Sequence, residues 1–230
     1  FGFLIRDEIR YLKTSMENPK KPLTFIIGGS KISTKISLFD NIVNKANMIL
    51  VGGAMAFTFL KALGYNVGKS LVEDEHIITA KNIIDKCKKN NVNLQLPVDV
   101  VCSKDIDSNE EIDVKLIEAI DDTDIGLDIG PETCINYDMF IQSSKTLIWN
   151  GPVGLFENPY FSTGTQSMAN SLIEAKDNNG AIVIIGGGDT VTAIDSFNAN
   201  LDYSHISTGG GSTLELLSGK DLPALIALGD

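Results

Sequence analysis

Two patterns of apolar and polar residues alternate along this chain of 230 residues. Short runs of apolar, often β-branched residues are typical of strands that are buried on both faces of a sheet. Between these runs, apolar residues recur every three or four positions, which predicts amphipathic helices. The predicted strands are 23–27, 48–51, one or two within 92–102, 124–129, 146–149, 181–185 and 205–208. The predicted helices lie around 3–18, 36–44, 55–63, 77–87, 137–141, 168–173, 191–194 and 214–217.

Repeated alternation of strand and helix predicts an α/β fold. We expect a Rossmann-like, three-layer α/β/α arrangement, in which helices cover both faces of a mainly parallel six-stranded sheet. The composition, with 43% hydrophobic and 21% charged residues, is ordinary for a globular protein. No linker or low-complexity segment interrupts residues 1–230, so we expect a single domain.

Charge and cysteine content exclude several classes of function. The formal net charge of −11 argues against a nucleic-acid partner, because binding to phosphate backbones needs clustered lysine and arginine. No apolar run approaches the roughly 18 residues of a membrane span, so no membrane partner is expected. Three scattered cysteines and two histidines offer neither a disulfide framework nor a multi-histidine metal site. We expect a cytoplasmic monomer with reduced thiols.

Clusters of glycine follow most of the predicted strands. They lie at 28–29, 52–53, 126–130, 151–154, 186–188 and 209–211. The carboxyl ends of parallel strands meet at one edge of a sheet, where ligands bind, and glycine lets a phosphate approach backbone N–H groups at a helix start. Asp189 follows the fifth cluster and suits Mg²⁺. The pattern predicts a phosphate-bearing ligand. The alternative is that the glycines only allow tight turns and bind no ligand.

Lys31 and Lys35 lie four residues apart after the first glycine cluster. They are expected at the start of the helix that follows, where this spacing puts both ammonium groups on the same face. Cations are disfavoured at a helix N-terminus, so an anionic ligand would account for their placement. Two solvated lysines are the alternative.

Two familiar nucleotide fingerprints are absent. Gly186 and Gly188 match the first two glycines of the motif G-x-G-x-x-G, but Val191 occupies the position of the third glycine. Residues 64–70 are similar to a phosphate-binding Walker A loop, but they have one residue too few and follow a predicted helix. We interpret this similarity as coincidental. The acidic stretch 105–113 is interpreted as a solvent-exposed loop and not as part of a site.

Taken together, the motifs resemble the C-terminal, nucleotide-binding half of phosphoglycerate kinase, and the similarity runs essentially from end to end. The motifs that carry it are 28–35, 52–57, 96–99, 149–157, 186–190 and 207–211. The resemblance implies a phosphotransferase with a carboxyl-group acceptor, which transfers a phosphoryl group between 1,3-bisphosphoglycerate and Mg²⁺-bound ADP in glycolysis. The products are 3-phosphoglycerate and ATP, so the implied cofactor is Mg²⁺ and the nucleotide is a substrate.

The resemblance also implies roles for individual residues. Lys31 would neutralise the phosphoryl group during transfer, and Gly209, Gly210 and Gly211 would donate N–H groups to it. Asp189 would hold the metal. The implied nucleotide-binding residues are Gly29, Ser30, Lys35, Gly52, Gly53, Phe57, Leu71, Gly126, Leu127, Asn150, Pro152, Leu155, Glu157, Gly187, Gly188, Asp189 and Thr190.

One half of the family's machinery has no counterpart in these residues. The basic cluster and the arginine that the family uses for the glycerate substrate are missing, and 1–18 corresponds to the family's interdomain hinge helix. We therefore expect nucleotide binding, with little or no kinase activity by this chain alone. A stand-alone, non-catalytic nucleotide-binding module is the main alternative, and a Rossmann-type dehydrogenase is disfavoured by the missing fingerprint.

Overall fold

The computed structural model describes residues 14, 17–107, 110–197 and 205–207, and shows an α/β fold. The strands are β1 (Leu23–Ile27), β2 (Met48–Val51), β3 (Asn93–Gln95), β4 (Asp99–Ser103), β5 (Asp113–Leu116), β6 (Ile125–Ile129), β7 (Thr146–Asn150), β8 (Ile182–Gly186) and β9 (His205–Ser207). The α-helices are α1 (Ile36–Ile42), α2 (Met55–Ala62), α3 (Ile77–Lys89), α4 (Pro131–Ser143), α5 (Thr163–Asn179) and α6 (Gly188–Ser196).

The central sheet has the strand order β3-β2-β1-β7-β8-β9, and all of its strand pairs are parallel. Its middle strands β1 and β7 are buried along their whole length, which explains why their sequences are apolar rather than alternating. The expectation of an α/β fold around a mainly parallel sheet is confirmed.

A second, antiparallel sheet has the order β5-β4-β6 and was not predicted. The expectation that residues 124–129 belong to the parallel sheet is wrong, because β6 pairs antiparallel with β4. Residues 92–102 form two strands that belong to different sheets. An apolar run indicates that a strand is buried, but it does not identify the strand with which it pairs.

Helices cover both faces of the central sheet. Alternate residues of β1 point to opposite sides, as the pleat requires. Phe25 and Ile27 pack in a core with α1, α2 and α3, whereas Ile26 packs in a second core with α4, α5 and α6. A third, smaller core joins α2 to the antiparallel sheet through residues that include Phe57 and Val100.

Most predicted helices lie within the described residues, but two do not. The predicted helix at 214–217 lies outside them. Of the predicted helix at 3–18, only Thr14, Glu17 and Asn18 are described, and Thr14 and Glu17 are helical. Among the described residues, none of the helices combines the length and the apolar character needed to cross a bilayer.

Candidate functional site

A cleft of about 500 Å³ opens between the carboxyl ends of the central strands and the antiparallel sheet. One wall is formed by the loops that follow β1, β2 and β7. The opposite wall is formed by the beginning of β6 and the segment after α2. Its lining consists of Gly29, Ser30, Gly53, Ala54, Lys69, Leu71, Ile106, Ile125, Gly126, Leu127, Pro152, Gly154, Leu155, Phe156, Glu157 and Asp189.

The cleft brings together residues that are distant in sequence and that the sequence analysis singled out. Those on its surface are Gly29, Ser30, Gly53, Leu71, Gly126, Leu127, Pro152, Leu155, Glu157 and Asp189. The glycine loops after β1, β2 and β7 contact one another directly, since Gly29 N–H donates to the Pro152 carbonyl (2.8 Å) and Gly53 N–H to that of Val153 (2.9 Å). Backbone hydrogen bonds therefore fix the spacing of this wall.

Several expected site residues lie behind the cleft surface. Phe57 is buried, and its ring packs so closely against Gly126 that a Cβ there would overlap it. Gly52 packs in the same way against the Val153 side chain, 2.6 Å from where its Cβ would stand. Thr190 is fully buried, and its hydroxyl accepts a hydrogen bond from Gly151 N–H (2.8 Å). These residues support the wall from behind.

Lys35 is also buried, with 8% of its surface exposed. Its ammonium donates to the Gly28 carbonyl (2.6 Å), the Asn150 carbonyl (3.0 Å) and Asn150 Oδ1 (2.7 Å). Burial lowers the pKa of this amine to about 7, and the negative charge of Asp189 partly opposes the shift. Lys35 thus joins the loops after β1 and β7 beneath the cleft, and Asn150 holds it there.

Lys31 and Lys35 do not share a helix face, contrary to the prediction. Lys31 is exposed and precedes a short 3-10 helix (Ile32–Lys35), while Lys35 ends that helix and is buried. A 3-10 helix has about three residues per turn, so residues four apart point in different directions. The helix is held from outside by Glu73, whose carboxylate accepts from the N–H (3.1 Å) and hydroxyl (2.5 Å) of Ser33.

The glycine loop after β8 leads into α6, which begins at Gly188 after Gly187 in a left-handed conformation (φ 96°). Asp189 lies in the first turn of α6 and contributes to the cleft lining. Glu157 is the other carboxylate in this lining. Carboxylate oxygens next to backbone N–H groups suit Mg²⁺ and the phosphates that accompany it. Gly209, Gly210 and Gly211 lie outside the described residues.

Six cleft residues are not among the expected site residues: Ala54, Lys69, Ile106, Ile125, Gly154 and Phe156. Ile106 belongs to the acidic stretch interpreted as a solvent-exposed loop outside any site. That interpretation is wrong at this position, because Ile106 lines the cleft. It is the one strongly apolar residue between Asp105 and Glu111, and this isolated apolar residue was the sequence signal that could have indicated a packed position. Lys69 belongs to the segment set aside as a coincidental Walker A loop, and its neighbour Ser70 accepts a hydrogen bond from Gly126 N–H (2.9 Å).

Comparisons with known proteins agree on one family. A family model described as "Phosphoglycerate kinase" matches residues 1–220. The phosphoglycerate kinase of Prosthecochloris aestuarii (strain DSM 271 / SK 413) is 46% identical over 229 residues, covering 100% of this chain and 57% of the relative. That of Thermosipho africanus (strain TCF52B) is 45% identical over 230 residues, covering 99% of this chain and 56% of the relative.

Solved structures give the same result. The phosphoglycerate kinase from Coxiella burnetii superimposes with a TM-score of 0.93 at 42% identity, covering 98% of this chain and 57% of that one. The phosphoglycerate kinase from Pyrococcus horikoshii OT3 gives a TM-score of 0.78 at 25% identity, covering 98% and 56%. This chain spans a little over half the length of the relatives it matches.

Proposed function

Because the chain belongs to the phosphoglycerate kinase family, we propose that its cleft binds Mg²⁺-bound ADP or ATP, as the nucleotide-binding domain of such a kinase. The observation that carries this proposal is the convergence on one cleft of glycine-rich loops, the carboxylate of Asp189 and a cluster of apolar side chains. A nucleotide needs all three, since it has phosphates, a bound cation and a flat base.

The chemistry of the lining changes from one end of the cleft to the other. Leu71, Ile106, Ile125, Leu127 and Leu155 provide apolar surface for a purine ring. Glu157 would accept hydrogen bonds from ribose hydroxyls. Ser30 would donate its backbone N–H group to a phosphate next to Asp189, and Gly29, whose N–H is already bonded to the Pro152 carbonyl, would leave room for that phosphate. Mg²⁺, when bound, would neutralise phosphate charge, and the oxygen ligand that Asp189 offers fits that ion.

Phosphoryl transfer requires positioning and charge stabilisation rather than a covalent intermediate. In this proposal the exposed Lys31 would stabilise the transferring phosphoryl group, together with N–H groups of Gly209, Gly210 and Gly211. The second substrate pair, 1,3-bisphosphoglycerate and 3-phosphoglycerate, would bind to a part of the protein that these residues do not include. This chain alone would then bind nucleotide as a monomer, with little or no turnover.

Calorimetric titration with ADP tests the proposal. We expect saturable binding by the wild-type chain in Mg²⁺, and binding that is about tenfold weaker in Asp189→Asn, because the metal loses a charged ligand. Asp195→Asn is the matched control, because Asp195 is exposed on the same helix and does not line the cleft. Absence of ADP binding, or an equal loss in both variants, would contradict the proposal. A coupled kinase assay separately tests the expected lack of turnover.

A further inference from the structure

Asp128 is a buried carboxylate with no role in the function proposed above. It lies in β6 beside the cleft residue Leu127, and only 3% of its surface is exposed. It forms no ion pair with a described residue. Burying a carboxylate is costly unless hydrogen bonds compensate, so its partners indicate what it does.

Those partners belong to the structure around the cleft. Oδ2 accepts from Gly164 N–H (2.7 Å), in the first turn of α5, and Oδ1 accepts from Ile129 N–H (2.9 Å). Gly154, which lines the cleft, packs against the carboxylate so closely that a Cβ would overlap Oδ1. The next residue, Leu155, donates its N–H to the Leu127 carbonyl (2.8 Å). One carboxyl group therefore contacts a helix end and both walls of the cleft.

The bond to Gly164 replaces the usual local cap of α5. Ser162 occupies the N-cap position, but its hydroxyl donates instead to the Pro159 carbonyl (3.0 Å). A local cap would have satisfied the helix without involving the cleft. Because the cap comes from β6, the helix, the strand with Leu127 and the loop with Leu155 are held in one arrangement. Thr165 adds to this arrangement by accepting from Val153 N–H (3.2 Å).

We propose that Asp128 is a positioning residue for the nucleotide cleft, which sets the distance between the Leu127 and Leu155 walls around the base without touching the ligand. This inference rests on the proposed function. Burial raises the pKa of Asp128 to about 8. The ionised form accepts both N–H groups fully, so its contribution to positioning should increase through this pH range.

Few other groups near Asp128 titrate between pH 6.5 and 9. The thiol of Cys134 on α4 faces it, and burial raises the pKa of that thiol to about 11, so it stays neutral. Gly154, Gly164 and Val101, which is paired with Asp128 across the antiparallel sheet, bring no charge. Lys35 titrates near pH 7 but is present in every variant compared, so its effect cancels in a difference.

The test compares ADP binding by wild type and Asp128→Asn at pH 6.5 and 9. The amide has a single oxygen, so one of the two N–H groups faces an NH₂ group and loses its acceptor. We expect ADP binding to be about fivefold weaker in the variant at pH 9, and within about twofold of wild type at pH 6.5. Equal affinities at both pH values would overturn the inference.

Asp99→Asn is the matched control. Asp99 is as buried as Asp128 and caps α4 by accepting from Thr133 N–H (2.7 Å) and Glu132 N–H (3.0 Å), but it is not one of the residues that line the cleft. We expect it to lower the melting temperature while leaving ADP affinity unchanged. A loss of ADP affinity as large as that of Asp128→Asn would reduce Asp128 to a structural role and overturn the inference.

Two outcomes separate this inference from the function on which it rests. If wild type does not bind ADP, the proposed function fails and the inference fails with it; if wild type binds and Asp128→Asn is indistinguishable from it, only the inference fails. If Asp128→Asn does not fold, hydrogen exchange of the backbone amides is measured in wild type instead, with and without ADP. ADP is then expected to slow exchange at Gly164, which lies outside the cleft lining, and unchanged exchange there would overturn the inference.

Discussion

Lys35 illustrates how a single side chain can belong to a site without facing it. Its ammonium donates to one oxygen atom of Gly28 and to two of Asn150, and Asn150 lies 115 residues from Lys35 in sequence. Removal from water disfavours the charged form, and the pKa consequently falls to about 7. A phosphate group above these loops would favour the charged form again. If the cleft binds a phosphate group, Lys35 would therefore link loop packing to the charge of that ligand.

The stability of the fold should depend on Lys35 in a pH window that its pKa defines. The folded-state pKa of about 7 lies below the unfolded value of 10.5, so the unfolded chain binds more protons between these values. The free energy of unfolding attributable to Lys35 should then rise as the pH increases from about 7 towards 10.5. Urea denaturation at several pH values should show this rise in wild type and not in Lys35→Met.

Lys31→Met is the control for this measurement, since Lys31 is exposed on the same loop. We expect it to keep the pH-dependent rise, with a change in stability of at most about 0.5 kcal/mol. Comparing each variant with wild type at the same pH removes the contributions that both proteins share. Parallel pH curves for wild type and Lys35→Met would contradict the account of the Lys35 ammonium.

At the scale of elements, the antiparallel sheet organises the helix starts on one face of the molecule. Helix α4 follows Gly130, which has no side chain to cap it, and Asp99 from β4 supplies the cap. Helix α5 receives its cap from Asp128 of β6. Ion pairs also join the segments of this sheet. The Asp124 carboxylate, just before β6, pairs with Lys104 after β4 (2.6 Å) and with Lys115 in β5 (2.7 Å).

These tertiary caps should contribute more to stability than the residues at the formal cap positions. Asp99→Ala leaves two helix N–H groups without their acceptor, while the Thr133 hydroxyl keeps only the Asp99 backbone carbonyl, and we expect a loss of about 1–3 kcal/mol in the free energy of unfolding. Ser162→Ala removes a hydroxyl that caps no N–H, and about 0.5 kcal/mol or less should be lost. Chemical denaturation measures both, and equal losses would contradict the assignment of the caps.

The sequence anticipated some elements of the molecule better than others. Strands β1, β2, β7 and β8 have continuous apolar runs, and each was predicted within a residue or two. Strand β5 was missed because Val114 and Leu116 are half exposed and its neighbours are acidic, so no buried face marks it. Its Lys115 is held by Asp121 and Asp124, which are ion pairs that no local pattern reveals.

The candidate site was predictable to the extent that it consists of glycine loops. Gly29, Gly53, Pro152 and Asp189 follow strands of one parallel sheet, and their convergence follows from that topology. The burial of Lys35 and the position of Ile106 did not follow, because both depend on packing between segments far apart in the chain. Hydrophobic periodicity is local, whereas these positions are set by the whole fold.

For the whole molecule, the central claim is that one cleft between the two sheets binds a Mg²⁺-bound adenine nucleotide. The most direct measurement is a titration of the isotope-labelled chain with ADP and Mg²⁺, followed through amide chemical shifts. We predict saturable shifts that cluster at Gly29, Gly126, Leu155 and Asp189, with none in α3. The claim would be contradicted if saturating nucleotide shifted no amide in the cleft, or if the shifts clustered on another surface.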